Sequence, residues 1–234
     1  MGSQFIADRC AVIDRVGTNL LIRGNMPLLG EDNHYALKEI QAASGVADLL
    51  TRTIINVPII DNVGECEQFS ALCLAFGIDP ARFPETMWPP YGKPGYKLNS
   101  LLGHTLTTEG ECIKGSMVWR PFEGLPAGEA PGPYITAPLW DFSGFVENVI
   151  EMLANLENTA IYVHCQLGAD RTGAFHIGYL MKTRDFGFYA ASAIANESTQ
   201  AGAPNADYLR LAKAYADWLL WVAIFKQDAE DSHE

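Results

Sequence analysis

The feature that most constrains the fold is a helix, a short apolar strand, a loop and a second helix in direct succession. Apolar side chains recur at helical spacing from Phe142 to Leu156, and Ala160 to Val163 is a short apolar run typical of a buried strand. A loop that contains Gly168 follows, and Thr172 to Met181 again has a helical pattern. Elements in this order predict an α/β unit.

The rest of the chain adds elements of the same kind on both sides of a Pro-rich middle. We therefore predict a single α/β domain over residues 1–234, with a central, mostly parallel sheet flanked by helices. Apolar and β-branched runs predict strands at Cys10 to Asp14, Asn19 to Arg23 and Thr53 to Val57. Helical spacing predicts helices at Tyr35 to Leu50, Tyr189 to Asn196 and Asp207 to Phe225, the last with Asn205 as its N-cap.

The Pro-rich middle is expected to interrupt this pattern. Ten of the 13 prolines lie between Pro80 and Pro138. Proline removes a donor from the hydrogen-bond ladder, so a continuous parallel sheet is not expected to run through this stretch. We predict that residues 61–137 form an irregular insertion or lid within the domain, with one strand at Ser116 to Arg120.

Charge and hydropathy exclude several classes of partner. The net charge is -12, with 28 acidic against 16 basic side chains, so the chain repels nucleic acid, although a local basic pocket could still bind phosphate. The longest apolar run, Trp218 to Phe225, is too short to span a bilayer. Charged side chains within the first twenty residues argue against a signal peptide. We expect a cytoplasmic protein, and export by a signal-independent route stays open.

The cysteines and the last apolar run each have a structural interpretation. The five cysteines form no CxxC pair, which favours a reducing compartment and predicts no metal site. Four of them, Cys10, Cys66, Cys73 and Cys112, are expected to be small buried hydrophobes. The run from Trp218 to Phe225 is apolar on every side of its helix, which favours burial, with an oligomer or partner surface as the alternative.

The fifth cysteine lies where a strand, a loop and a helix meet. Cys165 ends the apolar strand, and Arg171 follows after five residues at the start of the next helix. N–H groups of a loop that leads into a helix converge on a tetrahedral oxyanion, and the same donors stabilise a thiolate. The planar guanidinium of Arg171 can hold two phosphate oxygens at once, which lysine cannot do. Gly168 allows the tight turn that this convergence requires.

Side chains next to the loop have supporting roles in this hypothesis. Thr172 can donate a hydrogen bond to the sulfur, and His164 orients the loop through buried hydrogen bonds or is simply a satisfied core histidine. The predicted phosphate-binding residues are Gln166, Leu167, Gly168, Ala169, Asp170 and Arg171.

The sequence His164-Cys165-x5-Arg171-Thr172-Gly173 resembles the phosphate-binding loop of the cysteine-dependent protein tyrosine and dual-specificity phosphatase superfamily. The segment from Asn19 to Pro27 is similar to an early strand of that superfamily, in which an Arg and a Pro recur. The resemblance implies an α/β fold, a phosphocysteine intermediate and no metal or other cofactor. It implies a phosphorylated protein as the substrate, with a phosphoinositide or inositol phosphate as the second choice.

The resemblance also implies an acid on a loop upstream of the cysteine. The segment from Pro138 to Asp141 resembles that loop and makes Asp141 the candidate acid, although this residue could instead cap the helix at Phe142. Asp170 is the alternative acid or a loop anchor. Its Asp-Arg-Thr setting resembles myotubularin-like and Sac-like phosphoinositide phosphatases and some bacterial tyrosine/lipid phosphatases.

The neighbouring loop residues distinguish the possible substrates. Gln166, Leu167 and Ala169 are neutral, whereas a polyanionic inositide headgroup is usually met by additional cations. Such cations could come from Lys93, Lys97, Lys114 or Arg120. Two other classes stay open, a catalytically inactive phosphate-binding module and a rhodanese-like sulfur carrier. The Thr172-Gly173 helix start and Asp141 favour a phosphatase over the sulfur carrier.

Overall fold

The structure, a computed structural model, describes residues 4–30, 33–60, 65–80, 100–101, 105–108, 111–128 and 137–231. Its strands are β1 (Ala11–Val16), β2 (Asn19–Gly24), β3 (Leu28–Leu29), β4 (His34–Tyr35), β5 (Thr53–Pro58), β6 (Ser100–Leu101), β7 (Thr105–Thr108), β8 (Glu111–Val118) and β9 (Thr159–His164). Its helices are α1 (Leu37–Ser44), α2 (Cys66–Ala75), α3 (Ala137–Asn155), α4 (Asp170–Arg184), α5 (Phe188–Glu197) and α6 (Ala206–Asp231).

Four parallel strands form the centre of the main sheet, in the order β2, β9, β5 and β8. The antiparallel strands β1, β6 and β7 complete it. In the register of the sheet Gly24 and Pro58 both lie opposite His164, so β2, β5 and β9 end at the same level. We call this end the carboxyl edge. The predicted α/β fold with a mostly parallel central sheet is confirmed.

Both faces of the central strands are buried, which explains their continuous apolar runs. Leu21, Ile161 and Val163 belong to a core that includes residues of α3, α4, α5 and α6. Leu20 and Tyr162, which alternate with them along the strands, belong to a second core with residues of α1 and α2. Alternating side chains of a strand point to opposite faces, so the helices lie on both sides of the sheet.

The predicted elements are confirmed with shifted ends. Helix α1 ends at Ser44, because Gly45 adopts a left-handed conformation with φ 67°, and the rest of the stretch predicted to be helical includes a short 3-10 helix, Leu49–Thr51. Helix α6 begins directly after Asn205, as predicted. The Asn205 side-chain oxygen accepts hydrogen bonds from the N–H groups of Asp207 and Tyr208, which satisfies two donors of the first turn.

Part of the predicted insertion consists of regular elements. Strand β8 pairs in parallel with β5, the short strands β6 and β7 pair with β8, and α2 precedes them in the chain. The description of residues 61–137 as irregular is therefore wrong for these four elements. The prolines flank β8 and do not interrupt it, which is why the strand keeps its ladder donors. The predicted strand at Ser116 to Arg120 overlaps β8, which begins earlier and ends at Val118. Residues 61–64, 81–99, 102–104, 109–110 and 129–136 of the predicted insertion lie outside the described residues.

The apolar end of α6 is only partly buried. Trp218 and Leu219 pack against the core, whereas Leu220, Trp221, Ile224 and Phe225 are exposed. Burial of the whole run, which the sequence favoured, is therefore wrong, and an oligomer or partner surface stays a prediction. Within the described ranges, no helix combines the length and the apolar character that crossing a membrane requires.

The structural cysteines divide into two kinds. Cys10 and Cys73 are buried as predicted, and burial raises the pKa of each thiol to about 12. Cys66, in contrast, is exposed at the start of α2, so its predicted burial is wrong. The side chain of Cys112 lies outside the described residues. Among the residues that the structure describes, no group of three or more His, Cys, Asp or Glu side chains could hold a metal ion.

Replacement of Gly24 by Ala should destabilise the carboxyl edge. A Cβ atom at this position would lie 1.9 Å from the Tyr162 hydroxyl oxygen, which donates a 2.8 Å hydrogen bond to the Asn25 carbonyl. We expect the free energy of unfolding, measured by urea denaturation, to fall by about 1–3 kcal/mol. In the control variant Gly187→Ala the new Cβ meets nothing within 4 Å, and we expect a change below about 0.5 kcal/mol. Equal stability of the two variants would contradict this account.

Candidate active site

Strand β9 places Cys165 at the carboxyl edge, directly after its last residue, His164. The thiol is 3% exposed, and its Sγ accepts a hydrogen bond from the Gly168 N–H at 3.3 Å. Gly168 adopts φ 76°, and a Cβ atom there would lie 3.0 Å from the Gly24 carbonyl oxygen. Only glycine fits this conformation and this space without strain, so it brings the loop back over the sulfur.

The loop leaves several backbone donors available for a ligand. In the part of the chain that the structure describes, no residue accepts a hydrogen bond from the N–H groups of Gln166, Leu167, Ala169, Asp170 or Arg171. These groups precede or begin helix α4, where the helix dipole favours negative charge. A cluster of N–H groups at a helix start binds tetrahedral oxyanions, as the sequence predicted for this loop.

Arg171 is held in place by two side chains from distant parts of the chain. Its Nη1 lies 2.7 Å from Oε2 of Glu65, and its Nε donates a 3.0 Å hydrogen bond to the Tyr208 hydroxyl. Burial lowers the pKa of Arg171, but Tyr208, Glu65 and Cys165 together outweigh burial, so the net pKa lies above the ordinary value. The guanidinium therefore stays charged and keeps further N–H donors for phosphate oxygens.

Asp170 connects the loop to the start of α6. Its Oδ1 accepts a 2.7 Å hydrogen bond from the N–H of Asn205, the residue that caps α6. The geometry is that of an anchor beneath the loop, which is one of the two roles that the sequence left open for this carboxylate.

The three residues predicted to support the loop, His164, Thr172 and Gly173, have different surroundings. His164 is fully buried, its Nδ1 lies 3.3 Å from the Cys165 carbonyl oxygen, and burial lowers its pKa to about 3, so the ring is neutral at pH 7. Gly173 lies so close to Pro204 that a Cβ atom would come within 2.8 Å of the ring. The expected bond from Thr172 to the sulfur is absent, because Oγ1 of Thr172 is buried and has no hydrogen-bond partner among the described residues.

Asp141 lies on a helix and not on a loop, which corrects the sequence prediction. Helix α3 begins at Ala137, so Asp141 is already inside it and does not cap a helix at Phe142. The carboxyl group is half-buried, and burial raises its pKa, while Arg120 lowers it and Glu123 raises it further. None of the contacts in the described ranges joins Asp141 to Cys165 or Arg171.

The position of Asp141 relative to the sheet follows from the two ends of α3. Near its C-terminus the Leu153 carbonyl accepts a 2.9 Å hydrogen bond from the side chain of Asn19, the first residue of β2. Near its N-terminus Arg120 lies against Gly144, and the Arg120 N–H donates to the Pro58 carbonyl at 3.4 Å. The helix therefore runs antiparallel to β9, and Asp141 is at the same end of the sheet as Cys165.

Sequence analysis missed Glu65, Tyr208 and Glu123. Glu65 and Tyr208 are 106 and 37 residues away from Arg171 in the chain, and no local pattern marks either of them. Glu123 lies on the loop after β8, which leaves the sheet at the carboxyl edge because β8 is parallel to β5. The signal that could have found Glu123 is its position shortly after the strand predicted at Ser116 to Arg120, because the loop after a parallel strand lies at the carboxyl edge.

Comparison with known proteins identifies the segment that contains this site. Residues 134–217 match the sequence model of the dual specificity phosphatase catalytic domain. This segment belongs to the cysteine-dependent phosphatase superfamily. The match confirms the predicted resemblance to this superfamily and, with it, the prediction of a cysteine-dependent phosphatase. The comparison with curated proteins finds no match.

Solved phosphatase structures are similar to this chain at low identity. Tk-PTP in its active form is 12% identical, with 89% of this chain and 97% of that chain covered and a TM-score of 0.46. A mouse putative dual specificity phosphatase, complexed with zinc tungstate, is 14% identical, with 87% of this chain and 86% of that chain covered and a TM-score of 0.43. PTPMT1 is 13% identical, with 92% of this chain and 98% of that chain covered and a TM-score of 0.45.

The two buried histidines of this chain should make its stability depend on pH. Burial lowers the pKa of His164 and of His176 to about 3, whereas both rings titrate near 6.5 when the chain is unfolded. Below pH 6.5 the unfolded chain therefore binds more protons, and the free energy of unfolding falls as pH decreases towards 3. We expect a loss of about 1 kcal/mol per pH unit for each ring, measured by urea denaturation at pH 6.5, 5.5 and 4.5.

A titration by NMR is the independent check on the same two rings. The NMR signals of their ring nitrogens should stay constant between pH 5 and 8 in the folded chain. A midpoint near pH 6.5 for either ring would contradict the prediction.

Proposed function

We propose that this chain hydrolyses phosphate monoesters of proteins, phosphotyrosine foremost, through a phosphocysteine intermediate. The observation that carries the proposal is the buried Cys165 sulfur at the start of a loop with five N–H groups that no described residue engages. The loop ends at an arginine that two side chains hold in place. Each part has a function in transfer of a phosphoryl group, since one group attacks phosphorus and the others hold the phosphoryl oxygens.

In the first step the Cys165 sulfur attacks phosphorus, the P–S bond forms and the ester P–O bond breaks. The leaving oxygen takes a proton from Asp141 and departs as a neutral hydroxyl. The loop N–H groups and the Arg171 guanidinium stabilise the remaining three phosphoryl oxygens during the transfer.

In the second step a water molecule gives a proton to the Asp141 carboxylate as its oxygen attacks phosphorus. The P–S bond breaks, inorganic phosphate leaves, and the Cys165 thiolate and the Asp141 acid are restored.

Two observations support Asp141 as the acid. Burial raises the pKa of its carboxyl group, so it keeps its proton at a higher pH than an ordinary aspartic acid. It also lies at the end of the sheet at which Cys165 is located. Asp170 is disfavoured, because its Oδ1 is already engaged by the Asn205 N–H below the loop.

The surroundings of the loop favour a phosphoprotein over a phosphoinositide. Leu167 is 50% exposed on the loop itself and offers an apolar contact to an aromatic ring. Arg120, one of the cations that a polyanionic headgroup would need, is only 8% exposed. Lys93 and Lys97 lie outside the described residues, as does the side chain of Lys114. The net charge of -12 adds a repulsion that grows with the charge of the substrate.

The proposal is tested by one screen of phosphopeptides and phosphoinositides, with EDTA and a reductant present and tungstate as the inhibited control. We expect tungstate-sensitive release of phosphate from phosphotyrosine peptides, at a kcat/KM at least tenfold above that for any phosphoinositide. The opposite order would make the chain a phosphoinositide phosphatase. Binding of tungstate without turnover of any ester would make it an inactive phosphate-binding module.

Replacement of Cys165 by Ser should remove turnover and keep the binding site. The hydroxyl is a poor nucleophile at neutral pH, so kcat should fall at least about 1,000-fold, while tungstate affinity measured by calorimetry changes less than about threefold. The variant Cys66→Ser, which alters an exposed cysteine on α2, is the control and should keep normal turnover. If Cys165→Ser keeps a tenth of the original activity, the covalent mechanism is wrong.

Replacement of Asp141 by Asn should affect poor leaving groups most. We expect kcat to fall about 10²–10⁴-fold on phosphotyrosine, and much less on an activated aryl phosphate whose leaving group departs without a proton. Asp170→Asn and Glu123→Gln are matched controls that each remove one carboxylate near the site. In each control we expect any loss of kcat to be similar on phosphotyrosine and on the activated aryl phosphate. Leaving-group dependence in one of these two variants instead of Asp141→Asn would reassign the acid to that residue.

A further inference from the structure

Three consecutive carbonyl groups of the catalytic loop are held by the N-terminal part of the chain. The Gln166 carbonyl accepts a hydrogen bond from the Met26 N–H at 3.2 Å. The Leu167 carbonyl accepts one from Nη1 of Arg9 at 2.7 Å, and the Gly168 carbonyl accepts one from Nη2 of Arg23 at 2.6 Å. The donors precede the loop by about 140 residues or more in sequence, so only the tertiary structure brings them together.

Each of these bonds determines the orientation of one loop N–H group. A trans peptide is planar, and its C=O and N–H point in opposite directions. Arg9 therefore holds the peptide whose N–H is that of Gly168, the group that donates to the Cys165 sulfur at 3.3 Å. By the same geometry Arg23 holds the peptide that carries the Ala169 N–H, and Met26 holds the one that carries the Leu167 N–H.

Arg23 is also an unusual buried charge. It is 1% exposed, and besides the loop carbonyl it contacts the Ala195 carbonyl at 2.9 Å and Nδ1 of His176 at 3.2 Å. None of the ion pairs in the described part of the chain joins Arg23 to a carboxylate. His176 is neutral at pH 7, because burial and then Arg23 lower its pKa to about 3, so it accepts the hydrogen bond and adds no charge.

An isolated buried cation is costly unless an opposite charge is close by. Burial lowers the pKa of Arg23 to about 10, and the group that opposes this most is Cys165, followed by Tyr162. The Gly168 carbonyl that Arg23 holds belongs to the residue whose N–H donates to the Cys165 sulfur. A thiolate at Cys165, or a phosphoryl group bound in front of it, would therefore supply the opposite charge to this buried guanidinium.

We propose that Arg9 and Arg23, together with the Met26 N–H, are positioning groups that orient the loop amides towards the sulfur and the oxyanion, and that Arg23 is in addition the buried counter-charge of the site. The inference rests on the proposed function for its role in catalysis, whereas its role in oxyanion binding is independent of turnover. It assigns a part of the active site to the first 26 residues, which lie outside the segment that matches the phosphatase family.

The experiment compares Arg9→Gln with Arg15→Gln. Arg9 is half-buried and Arg15 is exposed, so both variants should fold, and both remove one positive charge from the N-terminal region. Only Arg9→Gln loses a bond to the loop. We expect the tungstate dissociation constant, measured by calorimetry, to rise about 5- to 20-fold in Arg9→Gln and to stay within twofold in Arg15→Gln. Arg9→Lys should restore part of the affinity, because one ammonium group can still reach one carbonyl.

Arg23→Lys tests the buried site while it keeps the charge. A single ammonium cannot reach the Gly168 carbonyl, the Ala195 carbonyl and His176 at once, so we expect tungstate affinity and the rate of Cys165 alkylation by iodoacetamide at pH 6 to fall at least about tenfold. The melting temperature of each variant shows whether it folds, and if Arg23→Lys does not, the Arg9 variants decide the question.

The outcomes separate this inference from the proposed function. Normal tungstate affinity and normal Cys165 alkylation in both Arg9→Gln and a folded Arg23→Lys would overturn the inference, whatever the wild-type chain hydrolyses. Loss of tungstate affinity in these variants, together with a wild-type chain that hydrolyses no phosphate ester, would support the inference and overturn the proposed function.

Discussion

The common end point of three parallel strands is the constraint on which the rest of the site depends. Gly24 and Pro58 lie opposite His164 in the register of the sheet, so the segments after β2, β5 and β9 leave at the same edge. The segment after β9 contains the cysteine, the one after β2 contains the Met26 N–H, and the one after β5 leads to Glu65. A slip in this register would separate these groups, even if every side chain stayed the same.

The site contains positive side chains that are buried or partly buried, although the chain as a whole is strongly acidic. The chain has a net charge of -12, but two guanidinium groups, those of Arg23 and Arg171, interact electrostatically with Cys165. Glu65 neutralises part of the charge on Arg171, whereas none of the ion pairs in the described ranges involves Arg23. In the function proposed above, binding of a phosphoryl group would depend on a few buried contacts at short range, which salt screens less than it screens the surface charge.

Local sequence patterns predicted some residues well and others wrongly. The cap of α6 by Asn205 was predictable, because a capping bond joins neighbours in the chain. The position of Asp141 was not, because helix α3 begins before the apolar pattern does. The expected bond from Thr172 to the sulfur also depends on side-chain orientation at the start of α4, which no spacing specifies. The extent of β8 was underestimated, because a count of prolines over a long stretch does not locate them relative to a strand.

The sequence by itself determined the strand, the cysteine loop with Gly168, the helix that starts at the loop, and the class of chemistry that this arrangement can perform. These features depend on residues within about one strand and one helix of one another. Only the tertiary structure decided which groups hold the loop and its arginine, since Glu65, Tyr208, Arg9 and Arg23 come from four separate elements or loops. The physical reason is that a local pattern records backbone preference and burial, whereas these contacts depend on the packing of segments that are distant in the chain.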